Sequence, residues 1–270
     1  MLYPILYAGY ISLFQWDILG STKFIGFQNY VRMFTRDDLV LRTLQHTVVI
    51  LIVSLIGQQV LGFLFASVLS HGTKFKNLFK NLFFLPSVLS SAAVGSMWSF
   101  IYNPKGGLIN SFFRGIGLGE MAHQWLTDER LALGAIAFVV VWQFTGYSMT
   151  LFMSAIQGIP ADLYESAKID GASPFQVMKR ITLPLIMPIV KVNTVLIAVG
   201  SLKFFDLVYV MTPGGGPNRA TEVLASYLYR RAFTNFEYGY GNALAVLLLV
   251  LCFVVTAITN RAFKRMVYEY

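Results

Sequence analysis

The sequence predicts an all-α membrane protein with six transmembrane helices, and three observations carry that prediction. Of its 270 residues 56% are hydrophobic and only 13% charged, roughly half the ~25% charged residues of an average soluble domain. The mean hydropathy is +0.62. Thr43 to Leu69, Asn81 to Tyr102, Leu131 to Ala161 and Tyr238 to Asn260 contain no Asp, Glu, Lys or Arg, and each reaches the ~20 residues that cross a ~30 Å hydrocarbon core. A soluble enzyme cannot wet its surface with so few charges. The runs are continuous rather than alternating in ~10-residue segments, which excludes a lipid-facing β-barrel. Helices remain, because they satisfy every backbone group internally.

The first apolar segment is Met1 to Trp16. As a helix it would rise only ~24 Å, short of a full span. It has neither the basic leader nor the small-residue cleavage site of a signal peptide, so the expectation is a longer first span entered partway. The second span is Thr43 to Leu69 and the third Asn81 to Tyr102. The fourth is Leu131 to Ile156, the fifth Leu183 to Val210 and the sixth Tyr238 to Asn260. Pro86, Pro184 and Pro188 fall near the starts of the third and fifth spans, where a helix tolerates proline best. Lys203 and Asp206 stand three apart in the fifth, the spacing of a pair on one helix face. Every loop is shorter than thirty residues, so residues 1–270 form a single transmembrane domain.

Six spans place both termini on one side of the membrane. That side holds His71–Lys80, Gln157–Thr182 and the tail from Arg261, with nine Lys/Arg against ten on the opposite side. The nine sit in shorter segments close to the helix ends, so the positive-inside rule makes this side cytoplasmic by density rather than by count. The net charge of +8 is therefore loop punctuation, weighted to the cytoplasmic face. No nucleic-acid-binding pattern accompanies it. The single cysteine, Cys252, excludes an intrachain disulfide, and His46, His71 and His123 form no ligand-spaced pair.

The cytoplasmic stretch Gln157–Pro188 is the most informative. Pro160 can open a short helix whose first turns carry Asp162 and Glu165, where carboxylates suit the positive dipole end. Gly171 can end that helix in a left-handed conformation. Ser173, Pro174 and Gln176 then spell a capping box for a second helix. On these grounds the stretch is either a well-capped interfacial connector or a docking element. Without a histidine or a nucleophile it is not a catalytic site.

Glu165-Ser166-Ala167, Asp170-Gly171-Ala172 and Ile181-Thr182-Leu183-Pro184 resemble the EAA loop of ABC importer permeases. Three residues separate Ala167 from Gly171 and nine separate Gly171 from Ile181, as in that pattern; Ser166 replaces the usual alanine. Tyr3-Pro4, Gly26-Phe27-Gln28-Asn29-Tyr30, Leu85-Pro86, Trp142 and Phe205-Asp206 through Gly215-Gly216-Pro217 extend the likeness along the chain to the carbohydrate-importing, maltose-type branch. The resemblance implies a type I importer permease fold in a bacterial or archaeal plasma membrane. It makes residues 157–184 a coupling element, with Glu165, Ser166, Ala167, Asp170, Gly171, Ile181, Leu183 and Pro184 engaging a cytoplasmic ATPase. It implies two ATPase subunits holding ATP and Mg, a second permease subunit, usually a different chain, and an extracytoplasmic solute-binding protein. No cofactor is implied for this chain.

Polar residues within spans mark a path or glue helices together. Matching by motif, the resemblance places the sugar path at Ser87 and Ser91 after Leu85-Pro86, at Gln143, Phe144 and Tyr147 after Trp142, and near Ser201 and Phe204 in the fifth span. Ser87 stands where the maltose-type permease has an aromatic residue. Pro213-Gly214-Gly215-Gly216-Pro217 lacks the Lys-Ser/Thr of a phosphate-binding loop and reads as a turn. The competing reading, a self-contained ion-coupled secondary transporter, calls for an intramembrane carboxylate relay or inverted repeats, and neither is evident in the sequence.

Overall fold

The computed structural model describes residues 2–17, 22–70 and 76–264. Helix α1 (Leu2–Ile11) is followed by a short antiparallel ribbon, β1 (Phe14–Gln15) with β2 (Lys23–Phe24), pairing Phe14 with Phe24. Next come α2 (Gln28–Thr35), α3 (Asp38–Ser70), α4 (Lys76–Val88), α5 (Ser91–Ile101) and α6 (Leu108–Gly115). Then follow α7 (Ala132–Gln157), α8 (Ala161–Ile169), α9 (Pro174–Val177), α10 (Leu183–Leu185), α11 (Met187–Leu202), α12 (Asp206–Met211), α13 (Leu224–Tyr229) and α14 (Tyr238–Phe263).

Among the described residues four helical segments are long and apolar enough to span a bilayer: Asp38–Ser70, Ala132–Gln157, Met187–Met211 and Tyr238–Phe263. A fifth arises when α4 and α5 count as one span, and α1 is a ten-residue apolar helix. The all-α membrane architecture thus stands, with four apolar spans among the described residues, or five when α4 and α5 count as one.

The departures sit at polar and proline interruptions. Pro86 lies inside α4, not at its start, because the helix begins at Lys76. Proline removes one hydrogen bond and crowds the carbonyl four residues back. Within three residues the helix ends, and α5 starts anew at Ser91. In the fifth span a π turn over Met178–Thr182 absorbs the bond that Pro184 cannot donate. A second interruption falls at Ile186, before Pro188. A third separates α11 from α12 at residues 203–205. Lys203 and Asp206 therefore share no continuous helix face, and no ion pair joins them; Asp206 instead opens α12.

The chain divides into two units, one formed by residues 1–52, 91–139 and 200–254, the other by 53–90, 140–199 and 255–270. The first unit gathers Met33, Val40, Leu224, Tyr227, Tyr240 and Leu244 into its core. Beside that core lies a network of charges drawn from distant parts of the sequence. Arg231 bridges Asp37 at 3.3 Å and Glu237 at 2.9 Å, and Arg32 reaches Glu237 at 2.9 Å while covering the Tyr240 ring. Tyr227 and Tyr240 both donate to the Asp37 carboxylate. Glu222, its side chain 2% exposed, accepts from Arg230 at 2.7 Å and Arg219 at 3.1 Å. Truncating one member of such a buried set strands another charge.

Burial alone would raise the Asp37 carboxyl, but the Tyr227 and Tyr240 hydrogen bonds and the Arg231 charge outweigh it and hold the group below its ordinary value. A carboxylate depressed on folding adds stability that is complete above the unfolded value of about 3.9 and disappears as pH falls through the folded value. Asp37→Asn is accordingly expected to flatten the acid limb of the melting temperature in detergent below about pH 4. An unchanged acid limb would assign that loss to other groups.

The second unit packs Ala66, Leu69, Met149, Phe152, Met153, Ile156 and Ile186 into one cluster. Small residues allow its helices to approach closely. A Cβ added at Gly57 or Gly62 would come within 2.8 Å of Val141 or Ser148, and one at Gly146 within 1.8 Å of the Phe83 carbonyl. Polar side chains tie the same helices together. Gln59 donates to Thr194 Oγ1 at 2.6 Å, Asn193 donates to Gln59 Oε1 at 3.2 Å, and Ser148 donates to Asn193 Oδ1 at 3.3 Å. In this structure Asn193 and Ser148 are helix-joining groups.

Candidate functional site

The connector after α7 is built by local rules. Pro160 is the N-cap of α8 rather than its first helical residue, with Asp162 in the first turn. The helix ends in a Schellman motif. Gly171 adopts φ +71°, the Gly171 amide donates to the Lys168 carbonyl at 3.1 Å, and the Ala172 amide donates to the Ala167 carbonyl at 2.9 Å. Only glycine takes this backbone conformation without steric cost. Ser173 and Gln176 complete the capping box reciprocally: the Ser173 amide donates to Gln176 Oε1 at 2.7 Å, and the Gln176 amide to Ser173 Oγ at 3.4 Å. Pro174 occupies the first position of α9. Ser173→Ala is expected to cost about 1 kcal/mol of local helix stability, read as faster amide exchange at Gln176 with the global melting temperature unchanged.

Two anchors hold the connector to its unit. Ala167 is buried, and Tyr164 Oη lies 3.3 Å from the buried Thr182 Oγ1. Thr182 continues into Ile186, a member of the apolar cluster. Of the expected coupling residues, Glu165, Ser166, Asp170, Gly171 and Pro184 are exposed, whereas Ile181 and Leu183 are half-buried. Ala167 packs inward, where it anchors the connector. The structure adds three residues that the sequence reading passed over. Leu163, Ile169 (86% exposed) and Phe175 (65%) present apolar side chains beside these carboxylates. Their signal in the sequence was large hydrophobics within an otherwise polar loop. The result is a rigid, exposed platform with acidic and apolar groups, a composition suited to a protein partner.

The expected path residues divide between the units. Ser87, Gln143, Phe144 and Tyr147 belong to one, Ser91, Ser201 and Phe204 to the other. In the first of these sets, Gly146 brings α7 against the backbone of Phe83 and Phe84. One turn away, the buried Gln143 donates to the Leu89 carbonyl at 3.4 Å, at the break between α4 and α5. Tyr147 remains exposed. Ser87 turns back on its own helix, donating to the Phe84 carbonyl at 2.6 Å. In the other unit Ser91 opens α5, Ser201 is buried near the end of α11, and Phe204 lies half-buried in the break after it. Among the described residues no cluster of His, Cys, Asp and Glu could hold a metal ion.

Comparison with known proteins places this geometry in a family. Residues 58–268 match the model of the binding-protein-dependent transport system inner membrane component. The chain is 36% identical over 264 residues to the probable ABC transporter permease protein YurN of Bacillus subtilis, covering 97% of this chain and 90% of that one. It is 33% identical over 246 residues to the diacetylchitobiose uptake system permease protein NgcF of Streptomyces coelicolor, covering 87% and 69%. Its fold is similar to a chain of a bacterial alginate ABC transporter, solved with an alginate pentasaccharide-bound periplasmic protein. The TM-score is 0.86 at 22% identity, over 98% of this chain and 89% of that one. The capped connector and the long apolar helices are thus those of an ABC importer, and the chain belongs to the binding-protein-dependent, multi-pass inner-membrane permease family.

Proposed function

We propose that this permease carries a sugar or oligosaccharide, or a polyol phosphate, in company with a second permease subunit, two cytoplasmic ATPase subunits and an extracytoplasmic binding protein. The observation that carries the coupling half of this reading is the exposed platform at residues 157–184, rigidly capped and standing on the apolar cluster of its unit. Movement of an attached ATPase would pass through such a platform into α7 and α11 without being lost in loop flexibility. Alternating access then proceeds by rigid-body motion between two packings of similar energy. Saccharide as the cargo is supported by the names of relatives and by hydroxyl, amide and aromatic groups among the candidate path residues, which suit sugar hydroxyls and ring faces. Ser87, Ser91, Gln143, Phe144, Tyr147, Ser201 and Phe204 are the proposed contacts.

In this reading the chain binds no cofactor and hydrolyses nothing; ATP and Mg belong to the ATPase subunits. Both termini and the platform lie on the cytoplasmic side, in accord with the density of basic residues there. The test is uptake of radiolabelled oligosaccharides by the complex in proteoliposomes, with the binding protein supplied outside the chain's cytoplasmic face and ATP on that face. ATP-dependent, binding-protein-dependent uptake is expected. Uptake driven by an ion gradient without ATP would instead establish the secondary-transporter alternative.

A further inference from the structure

The segment between α5 and α7 contains a helix built inside out. Helix α6 buries its amide and exposes its apolar side chains. Asn110 is 2% exposed and fully engaged: its Nδ2 donates to the carbonyls of Pro104 and His123 at 3.2 and 2.9 Å, and its Oδ1 accepts from Trp125 Nε1 at 2.8 Å. Phe113 packs on the Trp125 ring from the same side, at 6.5 Å between centroids. Arg114 turns back to donate to the Lys105 and Pro104 carbonyls at 3.2 and 3.0 Å. The Asn110 amide and the Arg114 guanidinium are thereby spent inside the loop.

On the opposite face Leu108 and Phe112 are 70% and 63% exposed, and Ile116 follows at the same spacing of four, so the three form one stripe. Leu118 and Met121 extend the exposed apolar surface. No charged side chain lies on the stripe. It is also continuous with the outer surface of a membrane-embedded helix: Phe100, near the end of α5, and Leu108 line the same hollow of about 360 Å³. Only six residues separate α5 from α6, so α6 stays close to the end of that span.

We infer that α6 is an interfacial membrane helix, with Leu108, Phe112 and Ile116 inserted into the acyl–headgroup boundary of the leaflet at that end of α5. The occupant of the stripe is lipid. A docking face for a water-soluble protein is an apolar centre closed off by a polar rim, whereas this stripe runs on without a break to Phe100 of the span. Short amphipathic helices bind the boundary through their buried apolar area. The helix would stop the loop after α5 from lifting off the bilayer and fix the angle at which α5 emerges. The inference goes beyond the transport reading and stands independently of the cargo.

The test places nitroxides on the full chain, reconstituted with its co-purifying subunits in vesicles of phosphatidylethanolamine and phosphatidylglycerol. Cys252, the sole native cysteine, is first changed by Cys252→Ala. Phe112→Cys and Ile116→Cys then probe the stripe, and Lys105→Cys gives a water-facing reference. Oxygen, which partitions into lipid, is expected to relax the nitroxides at 112 and 116 several-fold more strongly than a water-soluble nickel chelate, with the order reversed at 105. Nickel dominating at 112 would overturn the inference by placing the stripe in water. Exclusion of both agents at 112 would overturn it too, by placing a protein partner over the stripe. A Phe112→Trp variant quenched by brominated lipids gives the same answer without a cysteine label, and lack of quenching there counts against lipid.

Discussion

Gly146→Ala is expected to remove most of the folded permease from the membrane, although it adds a single methyl group. The added Cβ would lie 1.8 Å from the Phe83 carbonyl oxygen, 2.3 Å from its carbon and 2.8 Å from the Phe84 amide nitrogen. These are backbone atoms of α4, so no side-chain rotation relieves the clash, and α4 and α7 must separate. Overpacking in a well-packed interior typically costs about 1–3 kcal/mol and occasionally more. With backbone as the obstacle the upper end applies, a large share of the ~5–15 kcal/mol that stabilises a typical protein. Separation would also withdraw Gln143 from the Leu89 carbonyl at the helix break, a bond that lipid cannot replace. Gly134→Ala on the same helix is the control. Nothing lies within 4 Å of its added Cβ, and alanine is the better helix former by about 1 kcal/mol. Melting temperatures in detergent should fall steeply for the first variant and hold or rise for the second. Equal behaviour would mean that α4 and α7 do not pack through Gly146.

Glu165→Lys carries the largest functional effect and should leave the fold intact. Glu165 is exposed and, among the described residues, has no hydrogen-bond or ion-pair partner, so its reversal breaks none of the contacts that hold the fold. At the proposed ATPase contact it would set a cation where the partner expects a carboxylate. Losing one member of an interfacial charge pair typically costs about 2–5 kcal/mol, which converts to a fall of roughly 30-fold or more in ATPase affinity. ATP-dependent uptake should collapse, while the amount of inserted chain and its melting temperature remain those of the wild type. Glu165→Gln, which keeps the shape, should fall between the two. Retained ATPase co-purification and full uptake in Glu165→Lys would sink the coupling role. Parallel losses are expected for Ile169→Asp and Phe175→Asp, whose exposed side chains flank the same platform.

The connector was legible in the sequence because its determinants are local. A capping box needs residues three apart, and a Schellman end needs one glycine at one place; both formed as the spacing of Ser173, Gln176 and Gly171 required. The long apolar helices were legible because a charge-free run has one low-energy conformation in lipid. Continuity of those helices was not legible. Pro86 was read as opening the third span, yet it lies near the end of α4, ahead of the break. Lys203 and Asp206 were read as neighbours on one face because the fifth span was taken as unbroken. An apolar run contains no signal for where a helix stops inside it when the interruption is stabilised by groups from elsewhere, as Gln143 does at Leu89. The charge network around Asp37 escaped the sequence reading for a similar reason: its members, Arg32, Asp37, Tyr227, Arg231, Glu237 and Tyr240, come from opposite ends of the chain.

By itself the sequence determined the solvent, the secondary structure and the kind of machine. Too few charges for water and apolar runs of bilayer length left an α-helical membrane protein, and the likeness of the loop around Glu165 to the EAA loop pointed to an importer permease. Tertiary structure alone decided which polar residues are glue and which remain open. It turned Ser148 and Asn193 toward each other and Gln143 toward a broken helix end, and left Tyr147, Glu165 and Ile169 exposed. The physical reason is that a polar group within an apolar helix must find a partner, and the identity of that partner depends on which helices a glycine such as Gly146 allows to touch.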